Sequence, residues 1–471
     1  MRPDYDIAVI GAGAAGLSVA NVAAQLGLRT ALIERGAMGG DCLNTGCVPS
    51  KALLAAAHSV QDARDAIRFG ITATPVVDWA AVWAHVHGVI ATIAPADSVE
   101  RYAGLGAEVI QGSARFAAPD ALEVAGRRFT ARRIVIAAGA RAAIPPIPGL
   151  DTVPFLTNET LWALAEQPAH LLVLGGGPIG LEMAQAFALL GSRVTVIEAT
   201  RIASRDEPEF ADGLRAALTR DGVTIIEGQA VTAVAGGPEV VLADGQRITG
   251  SHLLVATGRR PNIETLGLDA GGVLASPRGV VTDAGLRSTT NRRVFAAGDI
   301  ADPVGIGPRA FTHVCSYHAG IVIRRAIFRL PARLDYAALP RVTFTAPELA
   351  QVGLTEAEAR SAGHDVQVLT WPLHENDRAQ AERRTDGLAK LIVTRSGMIL
   401  GAGILAPHAG EMIGTFTLAI ARNIPLSAIA GMIVPYPTLA EAPKRAAGMF
   451  FTPKLFAARR RWLVGLLARL P

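Results

Sequence analysis

The chain has 471 residues, of which 50% are hydrophobic and 18% charged, and its formal net charge is +4 at pH 7. This composition excludes a disordered chain and predicts a globular protein with several domains. The small net charge and scattered basic residues argue against nucleic-acid binding. Three cysteines are too few for a secreted disulfide framework. A buried-strand pattern begins at Asp6, and no apolar run is long enough to span a bilayer, so we expect a cytoplasmic protein without signal peptide or transmembrane helix.

The first clear pattern runs from Asp6 to Glu34. It predicts a buried strand, a turn containing Gly11, Gly13 and Gly16, a helix, and a second strand that ends in Glu34. Glycines at this spacing permit a tight turn, close approach of the backbone to a pyrophosphate and close helix–strand packing. The helix N-terminus attracts phosphate, and Glu34 can accept hydrogen bonds from a ribose diol. The segment therefore predicts a dinucleotide-binding site.

The same pattern returns from Gly175 to Glu198 with the same length. Gly175, Gly177 and Gly180 match the three glycines of the first segment, and Glu198 matches Glu34. Two such folds predict two dinucleotides, with FAD in one and a nicotinamide cofactor in the other. A duplicated fold with one inactive site is the alternative.

The choice of nicotinamide depends on the residues after the second fold's glycines. Glu198 favours NADH, because a carboxylate there repels the 2′-phosphate of NADPH. Arg201 and Arg205 follow closely and could offset that repulsion. We expect NADH.

Two of the three cysteines, Cys42 and Cys47, lie in the segment from Gly39 to Lys51, GGDCLNTGCVPSK. A disulfide across so short a gap would stabilise the fold by only about 2 kcal/mol. Redox chemistry is therefore a better reason for the pair than stability. Pro49 suits the first turn of a helix, which places Cys47 near a helix N-terminus, where a thiolate is favoured.

Later segments complete the organisation of the chain. Residues 51–105 predict helices, and the proline-rich stretch 144–149 predicts a crossing between domains. A buried strand ends in Gly298 and Asp299, which places a carboxylate where α/β proteins bind ligands, although a helix or turn cap is the alternative. From Arg341 onwards the pattern is that of a separate α+β module.

Six motifs occur along the chain in this order: GAGAAG, GGDCLNTGCVPSKAL, GGGPIGLE, ATGRRPN, FAAGDI and TAPELAQVGLTE. Over roughly residues 4–450 the chain resembles the class I pyridine-nucleotide-disulfide oxidoreductases, the family of dihydrolipoamide dehydrogenase, glutathione reductase and mercuric reductase. The resemblance implies FAD bound through Gly11, Gly13, Gly16, Glu34, Gly298 and Asp299. It implies NAD(P)H bound through Gly175, Gly177, Gly180 and Glu198.

The resemblance also implies an α/β fold with two Rossmann-like dinucleotide-binding domains and a C-terminal α+β dimerisation domain, and hence a homodimer. The expected domains are residues 1–150 (FAD-binding, first part, with the redox cysteines), 151–275 (NAD(P)-binding), 276–340 (FAD-binding and central, second part), 341–450 (dimerisation) and 451–471 (a basic amphipathic tail). We expect the tail to form a helix packed on its own protein; weak contact with an anionic membrane surface is the alternative.

Family roles transfer to matching positions. The resemblance implies that Cys47 lies against the flavin and that Cys42 is the outer thiol that meets the acceptor. Lys51 and Glu182 match a pair that in the family lies near the reactive flavin nitrogen.

The stretch PYPTLAE departs from the family's disulfide reductases, in which a histidine and a glutamate act on the outer thiol across the dimer interface. Glu441 is present, but Tyr436 replaces the histidine. Tyrosine, with a pKa of about 10, cannot act as a base at pH 7 as histidine can. Mercuric reductase is similar here, with a tyrosine in a PY motif. The alternative is that Tyr436 only packs in a degenerate site.

We therefore expect a soft metal ion as the favoured acceptor. The alternatives are a dihydrolipoamide dehydrogenase-like disulfide reductase that lacks the usual histidine and takes a small-molecule acceptor, and a redox-sensing flavoprotein. Mercuric reductases also carry a C-terminal cysteine pair, whereas this sequence ends in LLARLP. Cys315 fits a small buried hydrophobe, and a soft site with His313 and His318 is the alternative. We predict no resident metal.

Overall fold

The computed structural model describes residues 2–470. Its first part alternates strands and helices, with bounds β1 (Tyr5–Ile10), α1 (Ala14–Gln25), β2 (Thr30–Glu34), α2 (Gly40–Asn44), α3 (Cys47–Asp65), α4 (Trp79–Ile93), α5 (Val99–Gly104), β3 (Ala107–Gln111), β4 (Ala114–Ala118), β5 (Ala121–Val124), β6 (Arg127–Ile136) and β7 (Ala140–Ala142). The main sheet has the order β3, β2, β1, β6, β5, β4. β1 is parallel to both neighbours: Val9 lies opposite Leu32 of β2 and Val135 of β6. The apolar sequence of β1 suits this central position, which is covered on both faces.

The second part repeats the arrangement, with bounds β8 (His170–Leu174), α6 (Pro178–Leu189), β9 (Arg193–Glu198), α7 (Pro208–Arg220), β10 (Val223–Glu227), β11 (Val231–Ala235), β12 (Glu239–Leu242), β13 (Arg247–Thr249), β14 (His252–Val255) and β15 (Arg259–Pro261). Its parallel sheet has the order β10, β9, β8, β14, and β11 to β13 form a separate antiparallel sheet. β15 pairs with β7, which joins the second fold to the first.

The chain then returns to the first sheet through β16 (Ala275–Ser276), β17 (Gly279–Thr282), β18 (Val294–Ala296), β19 (Ala301–Pro303) and α8 (Thr312–Val322). β18 pairs in parallel with β6, with Phe295 opposite Val135. Its carboxyl end therefore lies at the same edge of the sheet as the carboxyl end of β1. This pairing places Gly298 and Asp299 beside the first glycine loop.

The C-terminal module has the bounds β20 (Pro340–Thr343), β21 (Glu348–Gly353), α9 (Glu356–Ser361), β22 (Val366–Pro372), α10 (Asp377–Ala381), β23 (Leu388–Thr394), β24 (Ile399–Ala406), α11 (Ala409–Ala421), α12 (Leu426–Gly431) and α13 (Glu441–Met449). Its sheet is antiparallel in the order β20, β21, β24, β23, β22, and α11 packs on β21 and β24. The α/β architecture with a C-terminal α+β module is as the sequence predicts.

Helix α3 holds the two dinucleotide folds together. Leu53 and Ala57, four residues apart, share one face of α3 and are fully buried. They lie in one hydrophobic core with Leu181 and Phe187 of α6. The helix that begins at the second cysteine therefore packs on the first helix of the second fold.

The tail differs from expectation. It contains α14 (Thr452–Leu455) and α15 (Ala458–Leu467), and every residue from 452 to 470 is exposed. In α15 the basic residues 459–461 occupy the first turn, and Leu463, Leu466 and Leu467 lie three and four residues apart and share one face. The predicted helix is present, but the expectation that it packs on its own protein is wrong for the single chain. Its amphipathic character stays a prediction. Within residues 2–470, no helix combines the length and apolarity needed to span a membrane.

A buried cluster of charges joins the second fold to the C-terminal module. Lys390 of β23 is 1% exposed in its side chain, and its Nζ lies 3.0 Å from Glu207, 2.9 Å from Glu209 and 3.2 Å from Glu356. Glu207 is itself only 3% exposed.

We predict that Lys390→Met lowers the free energy of unfolding by about 3–5 kcal/mol, because removing one partner leaves a buried carboxylate uncompensated. Thermal unfolding of the purified protein measures the effect. The control is Arg395→Ala, which removes an ion pair with Asp365 in which both side chains are exposed, and it should leave the midpoint nearly unchanged. Equal midpoints for the two variants would contradict this account.

Candidate active site

In the first glycine loop, the first and last glycines are in close contact with backbone, and the middle glycine leaves open space. Gly11 has a φ of +102°, and a Cβ there would lie 2.4 Å from the carbonyl oxygen of Ala137. A Cβ on Gly16 would lie 1.8 Å from the carbonyl oxygen of Gly11. A Cβ on Gly13 would meet nothing closer than the Cα of Gly40, at 3.8 Å. Packing requires the outer glycines, while Gly13 leaves room for a ligand.

The second loop has the same geometry. Gly175 has a φ of +113°, and a Cβ there would lie 2.5 Å from the carbonyl oxygen of Ala256. A Cβ on Gly180 would lie 2.0 Å from the carbonyl oxygen of Gly175, whereas a Cβ on Gly177 would meet no atom within 4 Å. The repeat seen in the sequence is therefore also a repeat of atomic contacts.

The acids at the strand ends are also equivalent. Glu34 accepts a hydrogen bond of 2.6 Å from the N–H of Ala12, and Glu198 accepts one of 2.7 Å from the N–H of Gly176. A carboxylate offers about four acceptor positions, so each retains capacity for ribose hydroxyls. The N-termini of α1 and α6 carry neither a side-chain cap nor an acidic residue in the first turn, which leaves N–H groups for phosphate. The residues present fit two dinucleotides.

The segment from Gly39 to Lys51, which contains both cysteines and is called the redox segment below, lies against the first glycine loop. A Cβ on Gly40 would lie 2.7 Å from the Cα of Gly13, so the two backbones are in close contact. A Cβ on Gly298 would lie 3.3 Å from the Cβ of Ala15, at the start of α1. Three separate stretches of sequence therefore meet at one end of α1.

Cys42 lies in α2 and Cys47 begins α3, and both are free thiols in this structure. Cys42 donates a hydrogen bond to Cys47, whose sulfur also lies 3.1 Å from Oγ1 of Thr312. The bond from Cys42, aided by Thr312 and the charge of Lys51 and opposed by burial, lowers the pKa of Cys47 to about 6. The same bond raises the pKa of Cys42, which keeps its proton. Cys47 is therefore the thiolate of the reduced pair.

Lys51, one helical turn after Cys47, pairs with Glu182 of α6 at 2.8 Å. The Glu182 side chain is 6% exposed, and its second oxygen accepts a hydrogen bond of 3.0 Å from the N–H of Phe344. The Lys51 Nζ lies 4.4 Å from the centre of the Phe344 ring. The buried carboxylate thus has a charged partner and a fixed orientation.

Arg259 links the redox segment to the turn at Asp299. Its guanidinium lies 2.8 Å from Asp41, the residue before Cys42, and 3.2 Å from Asp299. Burial raises the pKa of Asp299, and Arg259 opposes that rise. The guanidinium therefore pairs with two neighbouring carboxylates close to the first glycine loop.

The soft-metal alternative at Cys315 is wrong for this structure. His318 is buried, and its Nδ1 accepts a hydrogen bond of 3.0 Å from the N–H of Gly298. Nε2 of His313 bonds the carbonyl oxygen of Pro340 at 2.9 Å. Burial lowers the pKa of His318 to about 4 and raises that of Cys315 to about 12. His318 is therefore a neutral residue that holds the Gly298 turn, and Cys315 is an unreactive thiol.

Within one chain, Tyr436 bonds neither Cys42 nor Cys47. Its side chain is 70% exposed, and its hydroxyl donates a hydrogen bond of 2.9 Å to Asp377. That carboxylate raises the pKa of Tyr436 further above its ordinary value. Such exposure does not fit the alternative that Tyr436 packs inside its own chain. Glu441 begins the nearby helix α13.

Sequence reasoning missed four residues of this site: Thr312, Arg259, Phe344 and Asp377. Thr312 lies three residues before Cys315, Arg259 lies in the motif ATGRRPN, and Phe344 directly precedes TAPELAQVGLTE. The stretches were recognised, but nothing in the sequence indicates which side chain meets the cysteines. Asp377 had no signal, because it pairs with Tyr436 across 59 residues.

Comparison with known proteins agrees with this geometry. The family described as pyridine nucleotide-disulphide oxidoreductase matches residues 5–321, and its dimerisation domain matches residues 339–447. The chain is 42% identical to a mercuric reductase of Streptomyces lividans over 95% of this chain and 96% of the relative. It is 36% identical to a dihydrolipoyl dehydrogenase of Chlamydia muridarum over 94% and 96%.

Solved structures show the same architecture. The Cu(II) complex of the HOCl-induced flavoprotein disulfide reductase RclA from Escherichia coli has a TM-score of 0.83 at 30% identity, covering 93% of this chain and 98% of that one. LpdA from Mycobacterium tuberculosis has a TM-score of 0.85 at 25% identity, covering 94% and 99%.

Substitution of a glycine at the open position of a loop should cause a different defect from substitution of a glycine in close contact with backbone. Gly177→Ala should leave the thermal midpoint unchanged and weaken NAD⁺ binding by about tenfold or more, because its methyl group projects where a pyrophosphate would approach the backbone. Gly180→Ala should lower the midpoint, because its Cβ collides with a carbonyl oxygen. Calorimetric titration and thermal unfolding measure both. Normal NAD⁺ affinity in Gly177→Ala would refute the assignment.

We predict that Cys42→Ala raises the pKa of Cys47, because the alanine removes the main donor to the thiolate. The pH midpoint for iodoacetamide labelling of Cys47 in the reduced protein, followed by mass spectrometry, should move up from about 6. Cys42→Ser is the matched control, since its hydroxyl still donates, and its midpoint should stay close to the original. Identical midpoints in the alanine variant and the unmodified protein would show that the bond does not set this pKa.

Proposed function

The chain belongs to the pyridine nucleotide-disulphide oxidoreductases, and from that premise we propose that it uses NADH and FAD to reduce a soft metal ion through Cys42 and Cys47. The family implies FAD and a nicotinamide cofactor, and the dimerisation domain supports a homodimer. The observation that carries the proposal is the cysteine pair held against the first glycine loop, with Cys47 stabilised as a thiolate.

When bound, FAD supplies the two-electron transfer that links a reduced nicotinamide to the Cys42–Cys47 disulfide. We assign its binding to the first glycine loop, the strand-end acid and the turn after β18, that is, Gly11, Gly13, Gly16, Glu34, Gly298 and Asp299. In the reduced state, Cys42 and Thr312 donate hydrogen bonds to Cys47, and Lys51 contributes a positive charge. These contacts stabilise the Cys47 thiolate, which would lie beside the bound FAD.

We assign the nicotinamide to the second loop, through Gly177 at the open position, Gly175 and Gly180 beside it, and Glu198 at the strand end. The Glu198 carboxylate is fixed by the N–H groups of Gly176 and Thr200. A fixed carboxylate accepts from a ribose diol and repels a 2′-phosphate, which favours NADH.

Soft metal ions suit this pair, because thiolate sulfur is their preferred protein ligand. With Hg(II), Cys42 and Cys47 would lose two electrons as their S–S bond forms, and Cys42 would lose its proton because Cys47 is already a thiolate. The ion would gain the two electrons to become Hg(0). The overall reaction converts NADH and Hg(II) into NAD⁺, H⁺ and Hg(0). Mercuric reductases of Streptomyces lividans and Bacillus cereus are 42% and 36% identical to this chain.

Tyr436 favours a metal over a disulfide acceptor. A disulfide acceptor needs a proton donor for its leaving thiol and a base for the attacking one. Tyr436, with a pKa raised by Asp377, is a poor base at pH 7. Because Tyr436 is exposed in the module that the family uses to dimerise, we propose that it serves the partner subunit's cysteines together with Glu441. A hydroxyl there can still orient a metal–thiolate complex.

The competing function is a disulfide reductase that works without the usual histidine. The dihydrolipoyl dehydrogenase of Chlamydia muridarum is 36% identical, close to several mercuric reductases. A redox-sensing flavoprotein is a further alternative. We propose a cytoplasmic location, and weak contact between the exposed tail and an anionic membrane surface stays a prediction.

A panel of acceptors decides among these functions. We predict NADH-dependent reduction of Hg(II), weak reduction of lipoamide and glutathione disulfide, and lower turnover with NADPH. Cys42→Ser and Cys47→Ser should each abolish Hg(II) reduction, whereas Cys315→Ser, the matched cysteine control, should retain it. Unchanged turnover in Cys42→Ser and Cys47→Ser with every acceptor would exclude the proposed mechanism.

Tyr436→His tests the reason for the acceptor preference. Restoring a base with a pKa near 7 should raise lipoamide reduction by about 100-fold, the usual contribution of general acid–base catalysis. Its kcat should rise with pH as the histidine loses its proton. Tyr436→Phe, which removes only the hydroxyl, should give no such gain. If Tyr436→His matches the unmodified protein on lipoamide, the missing base does not explain the preference.

A further inference from the structure

A cavity of about 480 Å³ opens onto Cys42, the outer thiol of the pair. Its walls come from α1, the end of α4, the turn before α5, and α8. Residues that line it include Leu17, Asn21, Cys42, Ile93, Asp97 and Tyr102. Because Cys42 lines this cavity, an acceptor would reach the Cys42 thiol there.

Asp97 gives this cavity its charge. The other lining residues include no lysine, arginine or histidine. The carboxylate lies over the start of the redox segment, since a Cβ on Gly39 would lie 3.1 Å from Oδ2 of Asp97. In the described part of the chain, this carboxylate forms no salt bridge. Burial raises its pKa, partly offset by Arg101.

Three polar side chains that line the cavity or lie close to Asp97 in the sequence donate hydrogen bonds to the backbone. The hydroxyl of Tyr102 donates to the carbonyl oxygen of Leu17 at 3.3 Å, and that of Ser18 donates to Ala14 at 2.7 Å. Arg101 donates to the carbonyl oxygen of Ala96 at 2.7 Å. The carboxylate therefore faces the cavity as a partly desolvated negative charge without a donor of its own.

We propose that Asp97 is a specificity-determining residue that selects cationic acceptors over anionic ones as they approach Cys42. The inference rests on the proposed function in one respect, namely that Cys42 is the thiol that meets the acceptor. A single charge in a narrow cavity raises the local concentration of cations and lowers that of anions. Asp97 acts here as a charge at a distance, because the described residues hold no cluster of three or more potential metal ligands.

Disulfides of different charge test the idea without relying on metal reduction. Cystamine carries two positive charges at pH 7, lipoamide none, and 5,5′-dithiobis(2-nitrobenzoate) two negative charges. Cystamine and lipoamide each take two electrons and two protons to give two thiol groups, with NADH and H⁺ as the source. The aromatic disulfide takes two electrons from NADH and gives two thiolates, and one H⁺ is released. The measurement is kcat/KM of the FAD-loaded dimer for all three acceptors at low ionic strength.

Asp97→Asn keeps the shape of the side chain and removes its charge. We expect kcat/KM to fall about five- to tenfold for cystamine, to rise by a similar factor for the anionic disulfide, and to stay unchanged for lipoamide. Asp97→Lys should reverse the preference, and 0.5 M salt should shrink the differences. Glu100→Gln, which neutralises an exposed acid of α5 outside the cavity lining, is the control and should change none of the three.

The two proposals fail in different ways. If Cys42→Ser retains full turnover with these acceptors, the proposed function is wrong. If Cys42 is essential but Asp97→Asn alters all three disulfides by the same factor, or none of them, then Asp97 does not select by charge. Failure to reduce Hg(II) together with a charge-dependent response to Asp97→Asn would overturn the metal acceptor and leave the role of Asp97 supported.

Discussion

The contact between α3 and α6 determines how the two halves of this molecule work together. Leu53 and Ala57 pack against α6, and one turn of helix separates the Cys47 sulfur from the Lys51 charge. Lys51 reaches Glu182, which is nearly buried and would be costly without a cation. A single helix therefore carries the thiolate, helps to stabilise it and fixes it to the second dinucleotide fold. Electron transfer between two cofactors needs such a rigid connection.

The two folds are equivalent in their binding loops and differ in what surrounds them. Gly13 and Gly177 are the open positions, and Glu34 and Glu198 receive matching backbone hydrogen bonds. Only the first loop is contacted by a redox segment, through Gly40. In our proposal, that contact makes the first loop the place of the cysteine chemistry, and the second loop binds the nicotinamide that supplies the electrons.

Charge around the cysteines is arranged on two sides. Lys51 favours the thiolate of Cys47, while Arg259 neutralises Asp41 and Asp299 next to the dinucleotide site. On the acceptor side, Asp97 has no such partner. The exposed Tyr436 belongs to a module that supports dimerisation, so the chemistry at Cys42 is completed by a second subunit in our proposal. In our proposal, these charges together favour a soft cation as the acceptor.

The sequence by itself determined the elements whose causes are local. Glycine spacing, apolar strands and the helix after Cys47 follow from neighbouring residues, and the duplicated pattern identified both dinucleotide folds. Only the tertiary structure decided which distant side chains meet: Thr312 lies 265 residues from Cys47, and Glu182 lies 131 from Lys51. The tail shows the converse, because its sequence predicted a packed helix, while in the folded chain all of its residues from 452 to 470 are exposed. Adjacent residues set the local backbone conformation, whereas contacts between distant side chains depend on how the whole chain folds.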